Sequence, residues 1–374
     1  MTGAFIVAGR RTPVAPRGGG LSTLEVAALG APVIQQALAD ANLHADQVDD
    51  VILGNALYGG GNPARVVALA AGIPEAVGAM TIDTQCCSSL DAIGIAAARV
   101  TTGAADIAIA GGIESYSRAP IRQIRPRNAS EVPIPYDAPP FTPWPDRNPD
   151  MIESAATLAA DQGIARTVQE AYAVESHRRS REDSLKETEL VTIVGITDDE
   201  FTRVLSPALC RRLPVLAGTE SCGLTSATTA VEADAAAIII VANANAVREK
   251  GLQDQAVAIR GSASHGGDPA CPALAPIDAA KILIGRLDLE PHDFDHVEMM
   301  EAFAVQAIAC IDGIGLDPIR VNKRGGALAR GHPVGASGAI LGVRLYHDLL
   351  RSGTHGLAAI AAAGGLGSAL VLAG

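Results

Sequence analysis

A cysteine able to attack and a histidine able to take its proton are the two chemistries this chain offers most clearly. Cys86 lies in TIDTQCCSSLDAI (81–93), between a short β-type stretch (Ala79–Asp83) and a helix-forming run from Leu90. At such a junction, unpaired backbone N–H groups and the positive end of a helix dipole favour the thiolate, the attacking form. A cysteine is otherwise most often a small buried hydrophobe. Here the small polar neighbours leave room for a substrate, and Cys86 reads as a nucleophile. His332 lies in GGALARGHPVGASGAI (325–340), a glycine-rich turn ahead of a second helix. Gly331, Pro333, Gly335 and Gly338 let backbone and ligand approach its ring. A Cys and a His distant in sequence, both in Gly/Ser-rich junctions, form the usual nucleophile–base pair; two unrelated residues are the alternative. His177, His292, His296, His347 and His355 fit polar surfaces or helix faces. A third segment, AAAGGLGSAL (361–370), is a glycine turn between closing strands. Its N–H groups could join that of Cys86 around a developing oxyanion, although a plain hairpin accounts for it equally.

These segments need a scaffold that holds them together, and the pattern supplies one. Ala4–Ala8, Asp50–Leu53, Ala79–Asp83 and Asp106–Ala110 read as buried strands; Leu24–Ala41, Pro63–Ala71 and Cys87–Thr101 read as the intervening helices. That alternation predicts a largely parallel sheet covered on both faces. The C-terminal third repeats it: helix over Pro272–Arg286, strand over His296–Met300, helices over Ala302–Ile311 and Val334–Leu350, closing strands over Leu357–Ala363 and Ser368–Leu372. Two halves of similar order suggest a duplicated α/β unit. Residues 116–224 break the rhythm. Prolines at 133–149 rule out regular structure there, and helices are expected at about 151–163 and 167–187. The reading divides the chain into a first half (1–115 and 225–267), an inserted loop domain (116–224) and a second half (268–374). Long insertions of this kind usually serve as covers or assembly surfaces.

At 374 residues and 48% hydrophobic content the chain can bury a large core. A net charge of −12 argues against nucleic acid or an anionic membrane as the main partner, but leaves room for a local basic pocket. The six cysteines form no CxxC pairs, so reduced thiols are expected and no metal site is assigned. No secretion signal or apolar stretch of spanning length is evident, and a cytoplasmic protein is expected.

Taken together, the three reactive segments resemble the thiolase family. So do GRRTPVAPRGGG (9–20), VILGNAL and GGGNPAR (51–65), GGIESYSRAP (111–120) and MMEAFA (299–304). The resemblance runs nearly end to end. It implies duplicated βαβαβαββ halves in a five-layered α-β-α-β-α core with an inserted loop domain, assembled as a homodimer or homotetramer. It implies acyl transfer through an acyl-cysteine, with a coenzyme A thioester as substrate and no permanently bound cofactor. Cys86 matches the acylated nucleophile, His332 the base of the GHP motif, and the backbone N–H groups of Cys86 and Ala363 the oxyanion hole. Glu301 matches the acidic residue of the NEAF motif, in an orienting or a proton-transfer role. Arg203, Arg211 and Arg212 lie where the family binds the nucleotide, and His265 lies near the pocket. The cluster Arg118, Arg122, Arg125 and Arg127 is suited to subunit contacts.

Two departures bear on the reaction. The family's second cysteine, in a CxG turn, moves a proton on the attacking carbon; here that turn reads Ala361-Ala362-Ala363. The Asn or His of the NEAF/HEAF motif, which supports the enolate oxygen, is Met300, which offers no useful hydrogen bond. Thr228-Thr229-Ala230 likewise stands for the usual Asn-Ala-Ser. Positioned acids, bases and oxyanion donors each contribute on the order of 10²–10⁴-fold in rate. The expectation is therefore acylation of Cys86 from an acyl-CoA-type thioester, then transfer to a non-carbon acceptor or water. The alternatives are a true acetyl-CoA acetyltransferase or 3-ketoacyl-CoA thiolase with a substitute acid/base, and a non-catalytic acyl-CoA-binding subunit.

Overall fold

The segment ADAAAIIIVAN (Ala233–Asn243) is buried along nearly its whole length, which a strand can be only when both faces of its sheet are covered. The computed structural model, which describes residues 3–374, shows how. The chain opens with β1 (Ala4–Arg11), α1 (Val26–Asp40), β2 (Asp50–Gly54), α2 (Pro63–Ala70), β3 (Gly78–Ile82), α3 (Ser88–Thr101) and β4 (Ile107–Ser115). A long segment carrying α4 (Met151–Asp161) and α5 (Arg166–Arg181) then intervenes before β5 (Ala233–Asn243). The rest runs β6 (Val257–Gly266), α6 (Ala275–Arg286), β7 (Phe294–Met299), α7 (Ala304–Ile314), α8 (Ser337–Ser352), β8 (His355–Ala362) and β9 (Leu366–Ala373).

The strand order exposes the duplication. The first half pairs as β1-β5-β4-β2-β3 and the second as β6-β9-β8-β7. A parallel bridge between Val297 and Val321 stands where the second half would otherwise have its fifth strand. The sheets meet through a short antiparallel pairing of β1 with β6, Ala4 to Ile259 and Ile6 to Val257.

Alternation along the strands sends successive side chains to opposite faces. Ala235, Ala237, Ile239 and Val241 of β5 share a core with Leu90 and Ile93 of α3, Ile340 and Val343 of α8, and Ala358 and Ile360 of β8. Ala236, Ile238 and Ile240 face α1 and α2 instead. On the other side Leu357 and Ala359 pack with α6 and α7. Helix layers α1/α2, α3/α8 and α6/α7 thus alternate with two sheet layers, giving the five-layered α/β core expected. The central layer holds α3 and α8, whose N-termini carry the reactive motifs.

Four expectations need correction. The sheet is mixed rather than largely parallel: β1–β5, β4–β5, β1–β6, β6–β9 and β8–β9 pair antiparallel, and β2–β3, β2–β4 and β7–β8 parallel. The bound at residue 267 puts β6 in the first half, yet β6 pairs along its length with β9 of the second. The proline-rich stretch is not wholly irregular: Ile134–Tyr136 pairs with Arg122–Ile124 as a two-stranded hairpin, where Pro135 needs no ladder donor on an edge. The helix read at 167–187 stops at Arg181. Asp183 ends it by accepting from the Leu185 N–H and binding Arg324 and Arg344. Those arginines belong to a buried ion-pair network. Arg11 of β1 holds Asp199 at 2.8 Å and Glu189 at 3.0 Å, and Arg344 holds Glu298 at 2.9 Å. It fastens the intervening segment to both halves.

Candidate active site

The nucleophile turn is tight. Gln85, immediately before Cys86, has φ 56°, an unusual left-handed conformation for a side-chain-bearing residue. It is held by its N–H on Asp83 Oδ1 at 3.0 Å and by Ser88, whose backbone N–H reaches the Gln85 carbonyl at 3.1 Å. Backbone strain of this kind costs about 1–3 kcal/mol and persists where the surroundings over-determine it. The turn leaves Cys86 partly exposed between β3 and α3, with Cys87 buried behind it.

The structure brings Cys86 and His332 together: Nε2 lies 3.2 Å from Sγ. The His332 N–H donates to the Val231 carbonyl at 2.8 Å, and Nδ1 lies 2.7 Å from Ser337 Oγ. The Ser337 hydroxyl spends its one proton on the Pro333 carbonyl at 3.0 Å, so it accepts from Nδ1–H. Nε2 is then the free lone pair facing the thiol. A close approach makes this possible. A side chain at Gly112 would meet the Gly335 carbonyl at 2.0 Å, so the bare end of β4 is what admits the histidine turn.

The sulfur is also faced by two backbone N–H groups, its own and that of Ala363. Ala363 opens the turn between β8 and β9, where Gly364 and Gly365 have φ 81° and 80°. Left-handed backbone at two successive residues suits glycine and turns the Ala363 N–H inward. The Phe141 carbonyl packs on Gly364, so the intervening segment covers this turn.

The resting protonation state differs from the thiolate expected of a helix N-terminus. Burial pushes the Cys86 thiol up to about 12, outweighing its two N–H donors, and the carboxylates of Glu114 and Asp83 add to the rise. Burial likewise pushes His332 down to about 4. The resting pair is a thiol on a neutral imidazole, and the thiolate forms as the proton passes to Nε2.

The other residues marked in the sequence are placed as follows. Glu301 is fully buried and accepts from Tyr172 Oη (3.1 Å), Ser176 Oγ (2.7 Å), Asn322 Nδ2 (2.6 Å) and the Leu328 N–H (3.1 Å). These bonds tie it to α5 and to the 322–328 turn. Met300 is buried and lines, with Arg330 and Ser337, a cavity of about 10 Å³ beside the histidine turn. Ala361 pairs with Gly367 inside the closing hairpin. His265 sits opposite that same Gly367 on β6, and its ring bonds to neither Cys86 nor His332. Arg203 stacks on Phe201, 4.0 Å from the ring centroid, while Arg211 and Arg212 are exposed. None of the three forms an ion pair among the described residues. No His/Cys/Asp/Glu cluster there suits a metal ion, and no helix is long and apolar enough to cross a membrane.

Two contributors escaped the sequence reading. Ser337 lay inside the GHP segment but carried no signal of its own. Glu114 is a carboxylate in the otherwise apolar strand IAIAGGIES, and that incongruity was the available clue.

The chain matches known proteins along nearly its whole length. Residues 4–206 match the thiolase N-terminal domain and residues 253–374 the thiolase C-terminal domain. The chain is 34% identical to an acetyl-CoA acetyltransferase of Cupriavidus necator, over 100% of this chain and 99% of that one. It is 38% identical to YhfS of Bacillus subtilis, provisionally named an acetyl-CoA C-acetyltransferase, over 98% of each. The crystal structure of the Bacillus anthracis acetyl-CoA acetyltransferase superposes with a TM-score of 0.92 at 29% identity, covering 100% of this chain and 99% of that one. With both domain models matched and full-length relatives above 30% identity, the chain belongs to the thiolase family, acyltransferases that act on acyl-CoA thioesters.

Proposed function

We propose that the protein takes an acyl group from an acyl-CoA onto Cys86 and passes it to a carbon acceptor, as an acetyl-CoA C-acetyltransferase does. The observation that carries the acylation step is the 3.2 Å contact between Cys86 Sγ and His332 Nε2 beneath two converging N–H groups. His332 takes the thiol proton as sulfur attacks the thioester carbonyl. The N–H groups of Cys86 and Ala363 hold the oxyanion, and His332 returns the proton to the departing coenzyme A sulfur. The provisional name of the full-length relative YhfS, an acetyl-CoA C-acetyltransferase, favours carbon as the acceptor. His332, the one neutral base bonded to the sulfur, is then left to serve the carbon acid as well.

Met300 and Ala361 favour a second reading, transfer to water or another non-carbon acceptor, because neither side chain can move a proton or support an enolate oxygen. Intact mass after incubation with acetyl-CoA, with Cys86→Ala as control, tests the acyl-enzyme. Absence of an adduct removable by that substitution sinks both readings. Steady-state cleavage of acetoacetyl-CoA separates them: turnover dependent on Cys86 selects carbon transfer, whereas acylation without it selects the second.

Arg203, Arg211 and Arg212 are proposed to meet the anionic end of coenzyme A, supported by their forming no ion pair among the described residues in a chain of net charge −12. A homodimer or homotetramer is proposed too. The edge strand β3 has one unpaired side, and Ile121 and Val132 near the hairpin are 90% and 78% exposed. Light scattering on the eluting protein decides between them.

A further inference from the structure

One buried charge beside the catalytic pair has no part in the chemistry just described. Glu114, at the end of β4, is 1% exposed, and no cationic side chain bonds to it among the described residues. Its carboxylate accepts four N–H donors instead. Asn55 Nδ2 (2.9 Å) and the Leu57 N–H (3.3 Å) reach Oε1; the Ala56 N–H (3.0 Å) and the Gly335 N–H (2.9 Å) reach Oε2. Three donors come from the loop leaving β2. The fourth comes from the turn between His332 and Ser337. We infer that Glu114 is a positioning residue for acylation: its ionised carboxylate pins the Gly335 turn to the Asn55–Leu57 loop and so holds His332 on Cys86.

The clamp needs the ionised form. Every partner is a donor, so a proton on either oxygen would displace one of them. Asn55 cannot turn its amide to accept that proton, because Nδ2 also donates to the Ile113 carbonyl and Oδ1 accepts from the Tyr58 N–H. Three titratable groups act on the carboxylate: Asp83 and Cys86 from the β3–α3 turn, and Tyr116 from just beyond the end of its own strand. The pinned turn carries His332, and Arg122 of the hairpin lies on the neighbouring Ala56 carbonyl at 3.4 Å. Burial pushes Glu114 up to about 7, well clear of His332 at about 4 and Cys86 at about 12. Loss of the clamp is therefore separable in pH from titration of the pair it positions.

The inference rests on the acyl-Cys86 reading, and two probes keep the two apart: acetyl-CoA, read by intact mass, and iodoacetamide, which alkylates the same thiol without acyl chemistry. Both rates are measured on the full chain from pH 5.5 to 8.5, with melting temperatures alongside. In the unsubstituted protein both should fall below a break near pH 7. Glu114→Gln should lose the break and react at least tenfold more slowly at pH 8. Asn55→Ser, which removes one donor to the carboxylate, should move the break upward, and it serves if Glu114→Gln does not fold. A folded Glu114→Gln protein with the original rates and break, or an Asn55→Ser protein with an unmoved break, overturns the inference. If acetyl-CoA gives no adduct while alkylation keeps its break and its response to the variants, the acyl-enzyme reading fails and the positioning role stands.

Discussion

Ser337 fixes which nitrogen of His332 carries the proton. The hydroxyl donates to the Pro333 carbonyl and lies 2.7 Å from Nδ1, leaving Nε2 as the acceptor aimed at Cys86. Ser337→Ala removes that constraint without touching the sulfur. A neutral hydrogen bond contributes roughly 1 kcal/mol net, and 1.36 kcal/mol is tenfold in rate. Acylation of Cys86 by acetyl-CoA should slow by on the order of tenfold with little change in KM. An unaltered rate in stopped-assay mass spectrometry would mean the ring is held by its backbone alone.

Removing the base is the harsher test. His332→Asn should lower acylation by about 10²–10⁴-fold, the usual weight of a positioned proton acceptor. With the thiol pushed up to about 12, the residual rate should climb with pH through the alkaline range, as hydroxide replaces imidazole. A flat profile in the variant would show that another group already takes the proton.

The closing hairpin invites a gain-of-function test. Ala361→Cys places a thiol there, where the resemblance to the family puts its second cysteine. If proton movement at carbon limits turnover, cleavage of acetoacetyl-CoA should rise at least about tenfold, within the range for a positioned acid/base. Unchanged cleavage with intact Cys86 acylation would show that the carbon acid already has its base.

Charge reversal in the intervening segment addresses substrate grip. Arg211→Glu with Arg212→Glu should raise KM for acetyl-CoA several-fold and leave the N-acetylcysteamine thioester, which lacks the nucleotide, unaffected. The effect should shrink with added salt, because exposed charges are screened. Equal loss with both thioesters points to damage elsewhere.

Acid stability has a sign that follows from burial. His177 and His332 are both pushed down to about 4 from an ordinary 6.5. Between those values the unfolded chain binds more protons than the folded one, so these groups lower stability as pH falls. Glu114, raised to about 7, acts oppositely between about 4.5 and 7. A variant isolates the histidine contribution: His177→Asn should flatten the fall in melting temperature from pH 6.5 to 4.5. An unchanged slope assigns that fall to other groups.

The sequence carried the reactive segments and the layering because both have local signatures. Cys86 and His332 stand at strand–helix and turn–helix junctions, and the apolar runs of β4 and β5 read as doubly covered strands. What it could not carry was set by contacts distant in the chain. The thiol of Cys86 is protonated because of burial by elements from both halves, which no local dipole argument registers. Asp183 ends α5 because Arg324 and Arg344, more than a hundred residues later, bind it. The motif left Glu301 an orienting or a proton-transfer role; its four donors, from α5 and from residues 322 and 328, are not legible in the motif.

The duplicated topology gives the catalytic contact one more meaning. α3 and α8 hold matching places in the two repeats and pack together in the central layer, with the Ala339 N–H on Ser89 Oγ at 2.9 Å. Cys86 lies just ahead of one helix and His332 just ahead of the other. In the mechanism proposed, the same address in each repeat supplies the attacking atom in one and the proton acceptor in its twin. Neither repeat holds the pair alone, and the sulfur–imidazole distance doubles as a gauge of the seam between them: on that mechanism, a slip of about one ångström would cost on the order of 10²-fold in rate before it unfolded anything.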